Sequence, residues 1–302
     1  MSLPRYIKSL RPTLTAPWRA YSSLNRSSSV PFNFFSGFTV ANMASTSIDG
    51  SLFPVTPYKP SYDNWPYNAS DFERYDENDD GVFYQQSRLV THIDDPSIAR
   101  LTQYYDTALP KSGKIMDMCT SWKSFYPTSI KEAIQTKDLE VFGVGLNAEE
   151  MALNGVFQDP DHWRVMDLNK PPHDVRKGQD IEFDAVTCVV SIDYLNKPLE
   201  TCRNLLDATK EGGRVHLVIS NRCFPNKVVK RWLTLDEQSR LEFVGDYLHF
   251  SGWRDVEIVD LCARDDRNGM RVTDDQGTVL VRSSSLPSHL DPLWVVRATK
   301  RG

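Results

Sequence analysis

Between residues 113 and 219 short apolar runs alternate with stretches of helical spacing, and this alternation constrains the fold of the 302-residue chain more than any other feature. Lys114-Ile115-Met116, Val141-Phe142-Gly143-Val144, Arg164-Val165-Met166, residues 183–190 and residues 214–219 read as strands. Residues 148–154, 197–210 and 235–250 read as helices, and an earlier one has Ile98, Leu101, Tyr104, Tyr105 and Leu109 on one face behind Ser97 as its cap. Strand, helix, strand in repetition implies parallel strands joined by right-handed crossovers. The end of the chain differs, because Val256-Glu257-Ile258-Val259 and residues 292–298 are strands separated only by a polar stretch, so they pair antiparallel. The expected fold is α/β, a doubly wound, mostly parallel seven-stranded sheet ending in an antiparallel C-terminal hairpin.

Charge divides the chain. Of 35 Lys+Arg, Arg5, Lys8, Arg11, Arg19 and Arg26 precede the first acid, Asp49, leaving 30 bases against all 40 acids, a net of −10, for residues 49–302. An acidic body without a basic stripe argues against a nucleic-acid backbone as the main ligand. Residues 1–48, with five bases, ten serines and no acid, have the composition of an organelle transit peptide. A disordered targeting segment, import into the mitochondrial matrix and cleavage between Tyr21 and Met43 are expected, with a cytosolic form if initiation occurs at Met43. Residues 49–81 hold Pro54, Pro57, Pro60, Pro66 and the acidic run Asp76-Glu77-Asn78-Asp79-Asp80, and read as a connecting arm. Residues 82–302 form the α/β domain.

No run approaches the ~18 apolar residues of a membrane span. The five cysteines, Cys119, Cys188, Cys202, Cys223 and Cys262, lack any paired spacing and read as reduced thiols. Asp265-Asp266 and Asp274-Asp275 read as solvated loop, and no metal site is expected.

Ligands of an open α/β sheet sit at the carboxyl ends of its strands. There the sequence places Asp117-Met118-Cys119-Thr120-Ser121-Trp122, Gly145-Leu146-Asn147, Asp167-Leu168-Asn169, Ser191-Ile192-Asp193-Tyr194 and Asn221-Arg222-Cys223-Phe224. With residues 114–117, 141–147, 163–167, the Phe183-Asp184-Ala185-Val186 element followed by Ser191, and the Glu211-Gly212-Gly213-Arg214 turn, the chain over residues 82–300 resembles the class I S-adenosylmethionine-dependent methyltransferases, in particular the "type 11" group. The resemblance implies methyl transfer to a small molecule, with S-adenosylmethionine held by Asp117, Cys119, Thr120, Ser121, Gly145, Asn147, Asp167, Leu168 and Ser191. Among these, it assigns Asp117 to the amino acid end of the cofactor, Asn147 to the ribose and Asp167 to the adenine amino group.

Two positions depart from the family's pattern. Cys119-Thr120-Ser121-Trp122 stands where a Gly-rich turn is usual, and Asn147 where an acid usually accepts the ribose hydroxyls. These departures leave an alternative, a non-catalytic subunit of the same fold that aids assembly of a mitochondrial complex. A dinucleotide dehydrogenase needs GxGxxG after the first strand, and none is present. Residues 84–92, 191–194 and 221–224 are expected to wall the acceptor side. His92, Asp193, Tyr194 and Arg222 are the candidates for acceptor activation or anchoring, and Arg222, if it points into the pocket, suits an anionic acceptor.

Overall fold

The computed structural model describes residues 52–176, 180–262, 272–273, 279–281 and 291–302. The expected transit segment, the start at Met43 and both acidic pairs of the late polar stretch lie outside the described residues.

The elements in chain order are β1 (Val55–Pro57), α1 (Asp80–Phe83), α2 (Asp95–Ala108), β2 (Gly113–Met118), α3 (Thr128–Gln135), β3 (Leu139–Gly145), α4 (Ala148–Ala152), β4 (Trp163–Val165), β5 (Phe183–Val189), α5 (Pro198–Asp207), β6 (Thr209–Ser220), α6 (Glu237–Ser251), β7 (Arg254–Asp260), β8 (Val272–Thr273), β9 (Val279–Val281) and β10 (Leu293–Thr299). The main sheet runs β1-β7-β10-β6-β5-β2-β3-β4, and β8 and β9 form a separate pair. β6, β5, β2, β3 and β4 are mutually parallel, while β10 enters antiparallel between β6 and β7. The doubly wound sheet with an antiparallel end is therefore as expected, and among the described residues it has eight strands where the sequence predicts seven. The extra one is β1, three residues long and antiparallel to β7 at the sheet edge.

Alternation along each strand sends neighbouring side chains to opposite faces. Met116, Phe142 and Val186 pack with Leu205 of α5 and with Leu241, Phe243 and Tyr247 of α6. Ile115, Val141 and Ala185 pack with Leu101 and Tyr105 of α2 and Ile130 of α3. Both faces of the central strands are covered, which is why β5 and the second half of β6 read as nearly unbroken apolar runs. Helix α3 was not legible, because eight residues with three buried positions give little periodicity. Helix α2 starts earlier than expected: Asp94 is its cap and Ser97 supplies the capped N–H at 2.8 Å.

Residues 52–81 are packed on the domain. Phe53 is buried beside Tyr104, and Trp65 stacks on Phe72 with ring centroids 5.9 Å apart. Tyr58 and Tyr67 both donate their hydroxyls to the buried carboxylate of Asp246 on α6. Tyr58 lies so close to the helix that a Cβ on Gly245 would come within 2.4 Å of its ring, so a glycine interrupts α6 there.

The acidic run ends in a buried ion cluster. Asp80 accepts from Arg74 Nη1 at 2.7 Å and from Asn169 Nδ2 at 3.0 Å, and Lys227 Nζ lies 3.0 Å from its other oxygen. Lys227 also donates to the Asn78 carbonyl at 2.8 Å. The partners of Asp80 are as much as 147 positions away (227 against 80), which is why the run reads in the sequence as part of a connecting arm. Removing one member of a buried pair leaves the other charge uncompensated. Asp80→Ala should therefore cost about 3–5 kcal/mol in urea unfolding, far more than the ~0–1 kcal/mol expected for the exposed pair Lys111–Asp106.

Candidate functional site

After β4 the chain crosses back over the sheet to β5, so the winding reverses between the neighbours β2 and β5. The loops after β2, β3, β4, β5 and β6 gather at the same end of the sheet, where such folds bind ligands. Asp117, the penultimate residue of β2, lies across from Thr187 of β5. Its carboxylate is buried and accepts from Ser124 Oγ at 2.6 Å, Thr120 Oγ1 at 2.8 Å and Thr187 Oγ1 at 3.0 Å. Burial pushes its pKa up to about 6, against the lowering effect of the three hydroxyls.

The turn after β2 manages without glycine. Cys119 takes the left-handed conformation, φ 56°, that a glycine would adopt easily. The chain then folds down on β3: Thr120 N donates to the Val144 carbonyl at 2.8 Å. Close backbone approach is supplied by the neighbouring strand instead, since a Cβ on Gly145 would stand 2.2 Å from the Thr120 carbonyl oxygen. Ser121 Oγ donates to Glu150 at 2.6 Å, and Asn154 Nδ2 donates to the Ser121 carbonyl at 2.9 Å.

Asn147 is the cap of α4, accepting from the Glu150 N–H at 3.0 Å, and it is buried. Its amide also donates to the carbonyls of Tyr84 at 2.8 Å and Gln85 at 3.3 Å. The stretch from Phe83 to His92 is thus strapped over the loops after β2 and β3. Further bonds hold it there: Ser87 Oγ to Glu149 at 2.6 Å, the Arg88 N–H to Glu150 at 2.6 Å and Trp122 Nε1 to the Val90 carbonyl at 3.0 Å.

The structure brings the three expected walls together. Phe224 meets Phe83 at 5.4 Å between ring centroids, His92 at 5.7 Å and Tyr194 at 6.1 Å, and its N–H donates to the Tyr194 hydroxyl at 2.7 Å. His92 has positive φ, 64°, and its imidazole pKa is lowered, first by burial, then by Arg88, with Glu150 opposing. Asp193 is 3% exposed, and its Oδ2 has no hydrogen-bond partner among the described residues. Burial pushes its pKa up to about 7, opposed by its own backbone N–H and by Arg240. Its charge is felt at Tyr84, Tyr194 and Cys223, whose own pKa values burial raises.

The other predicted residues take quieter positions. Leu168 is buried in the core, and Ser191 Oγ donates to the Val189 carbonyl at 2.8 Å. Asp167 pairs with Lys170 at 3.2 Å and accepts from the Asn169 N–H at 3.0 Å. Arg222 Nε donates to Asp291 at 2.6 Å, and Asp291 in turn accepts from the Asp94 N–H at 3.0 Å. Tyr84, Ser87, Arg88, Glu149, Glu150 and Asn154 were not singled out as site residues. Their partners lie in other segments, and only the expectation that residues 84–92 wall the acceptor side pointed to the first three.

Between the ordinary carboxyl value near 3.9 and about 7, folded Asp193 keeps a proton that the unfolded chain has released, so its contribution to stability falls as pH rises through that window. Asp193→Asn should raise the stability of the fold at pH 8 by about 2–4 kcal/mol. The gain should vanish towards pH 4, as measured by denaturant unfolding at several pH values.

No protein-family model matches the sequence, and no curated protein matches it. Solved structures do resemble the chain. A TehB-like SAM-dependent methyltransferase from Corynebacterium glutamicum is 16% identical, with a TM-score of 0.38, and the match covers 69% of this chain and 89% of that one. An S-adenosylmethionine-dependent methyltransferase from Mesorhizobium loti is 15% identical, with a TM-score of 0.42, covering 66% of this chain and 97% of that one. Phosphoethanolamine N-methyltransferase 2 of Haemonchus contortus, solved with S-adenosyl-L-methionine, is 14% identical, with a TM-score of 0.40, covering 67% of this chain and 52% of that one. At these identities and TM-scores the likenesses carry no argument about this chain, and what it does is read from its own residues.

Proposed function

We propose that the chain transfers a methyl group from S-adenosylmethionine to a small-molecule acceptor. The observation that carries this reading is Asp193, a buried carboxyl with an unpartnered oxygen at the carboxyl end of β5, beside the point where the winding reverses. A carboxyl in that state costs stability, and strongly shifted groups of this kind gather at functional sites. The same cost speaks against the non-catalytic subunit, which would have no use for it.

The strand-end residues fit the cofactor in kind. The carboxyl of Asp117, raised to about 6 by burial, would be held ionised by an ammonium group placed beside it. Asn147 can exchange its bonds to the carbonyls of Tyr84 and Gln85 for bonds to ribose hydroxyls, neutral for neutral. Asp167 retains acceptor capacity in a loop where Lys170 is its side-chain partner.

S-adenosylmethionine, when bound, supplies an electrophilic methyl carbon for in-line displacement. The chain itself supplies alignment, exclusion of water and a destination for the acceptor's proton. Phe83, Phe224 and Tyr194 set rings on the acceptor side. Asp193, whose pKa burial pushes up to about 7, takes the proton, and Tyr84, whose hydroxyl burial keeps protonated, donates a hydrogen bond. Residence in the mitochondrial matrix, read from residues 1–48, belongs to the same proposal. A fusion of those residues to a fluorescent reporter should be imported, and a diffuse cytosolic signal would overturn that part.

Titration calorimetry of the full chain with S-adenosylmethionine and with S-adenosylhomocysteine should show saturable binding of both. Heat with neither would overturn the proposed function. Once an acceptor is found, turnover should rise with pH through an apparent pKa near 7, and Asp193→Asn should lower it on the order of 10²–10⁴-fold.

A further inference from the structure

The segments that wall the acceptor side, residues 84–92, 191–194 and 221–224, together with Lys227 three positions beyond the last, carry three permanent cations: Arg88, Arg222 and Lys227. Two of them are committed inside the protein. Arg222 Nε is fixed on Asp291 at 2.6 Å, and Lys227, fully buried, lies 3.0 Å from Asp80 and 3.2 Å from Asp76. Arg88 is different. Its guanidinium carbon lies 4.7 Å from the centroid of the Phe83 ring and 5.3 Å from that of Phe224, and no side-chain acceptor engages its N–H groups among the described residues.

The carboxylates nearby are already occupied. Glu150 accepts from the Arg88 backbone N–H and from Ser121, each at 2.6 Å. Glu149 accepts from Ser87 at 2.6 Å. Asp80 is taken by Arg74, Lys227 and Asn169. The cation acting on Asp193 is Arg240, not Arg88. Contact with two rings holds the guanidinium in place without using its N–H groups as hydrogen-bond donors to a side chain, and a guanidinium edge is a planar fork matched to a carboxylate or a phosphate.

We infer that Arg88 is the anion-recognising residue of the acceptor site, and that the acceptor carries a carboxylate or phosphate group. The inference rests on the methyl-transfer reading for the identity of the site's ligand as an acceptor. It moves the anionic anchor from Arg222, where the sequence placed it, to the strap. Arg88 and Asp193 both act on the Tyr84 hydroxyl, so the anchor and the proton-accepting carboxyl share one neighbourhood.

The test uses the full chain with inorganic phosphate and benzoate as separate probes, read by thermal unfolding in chloride buffer, and S-adenosylhomocysteine titrated separately by calorimetry. At least one probe should raise the unfolding midpoint saturably in the parent and in Arg222→Gln. Arg88→Gln should bind that probe at least tenfold more weakly, and Arg88→Lys should fall between, since it keeps the charge and loses the fork. All of these proteins should bind S-adenosylhomocysteine alike. No saturable response to either probe in the parent overturns the inference, as does an Arg88→Gln protein that responds like the parent, or a loss that follows Arg222→Gln instead. If Arg88→Gln does not fold, an Arg88→Lys protein with unchanged probe affinity overturns it. Probe binding that depends on Arg88 together with no binding of S-adenosylhomocysteine supports the anion site and overturns the methyl-transfer reading alone.

Discussion

The carboxylate of Asp80 fixes where the site can be. A buried carboxylate is tolerated only with compensating charge and hydrogen bonds, and Asp80 finds them in Arg74 from the N-terminal arm, Lys227 from the loop after β6 and Asn169 from the loop after β4. Three segments distant in sequence therefore converge on one side chain at the ligand end of the sheet. Helix α1 begins at that residue, and the strap leaves from the end of α1. Phe83, Tyr84 and Arg88 follow within eight positions, so their location over the loops after β2 and β3 is a consequence of where Asp80 is held.

Within the site, two buried acids differ by their immediate surroundings. Asp117 has three hydroxyl donors, which offset much of the burial and leave its pKa near 6. Asp193 has an oxygen with no partner, and its pKa lies higher, near 7. Neither value comes from a nearby like charge; desolvation leads in both cases. Glu149 and Glu150, more exposed, serve as acceptors that hold the strap. Four acids near one another thus do different work because their depth and donors differ, not their chemistry.

The parallel sheet was legible because central strands must be apolar on both faces, and β3, β5 and β6 show this directly in the sequence. The antiparallel end was legible because the sequence separates the last two strands of the main sheet only by a polar stretch. The arm was not, since its order comes from partners it reaches across the chain, such as Asp246 for Tyr58 and Tyr67. Within the site, Asp193 and two of the three walls could be placed by strand ends, and the third, residues 84–92, by its position ahead of the sheet. The engagement of Arg222 by Asp291, and the freedom of Arg88 from any such partner among the described residues, depend on side-chain geometry that spacing does not encode. The substitution of the usual Gly-rich turn was visible; that Gly145 on the next strand takes over its steric duty was not.

The position of β10 has a consequence for the order in which the sheet can be assembled. Among the described residues β7 pairs only with β1 and β10, and β1 only with β7, so both outer strands reach the parallel sheet through residues 293–299. On a ribosome, the parallel strands and their helices are available to pack long before that bridging strand emerges. Until it does, β6 presents an open edge of unpaired backbone groups along the stretch that later binds β10. The nascent domain is thus most exposed to wrong pairing in the interval between synthesis of β6 and synthesis of its final strand.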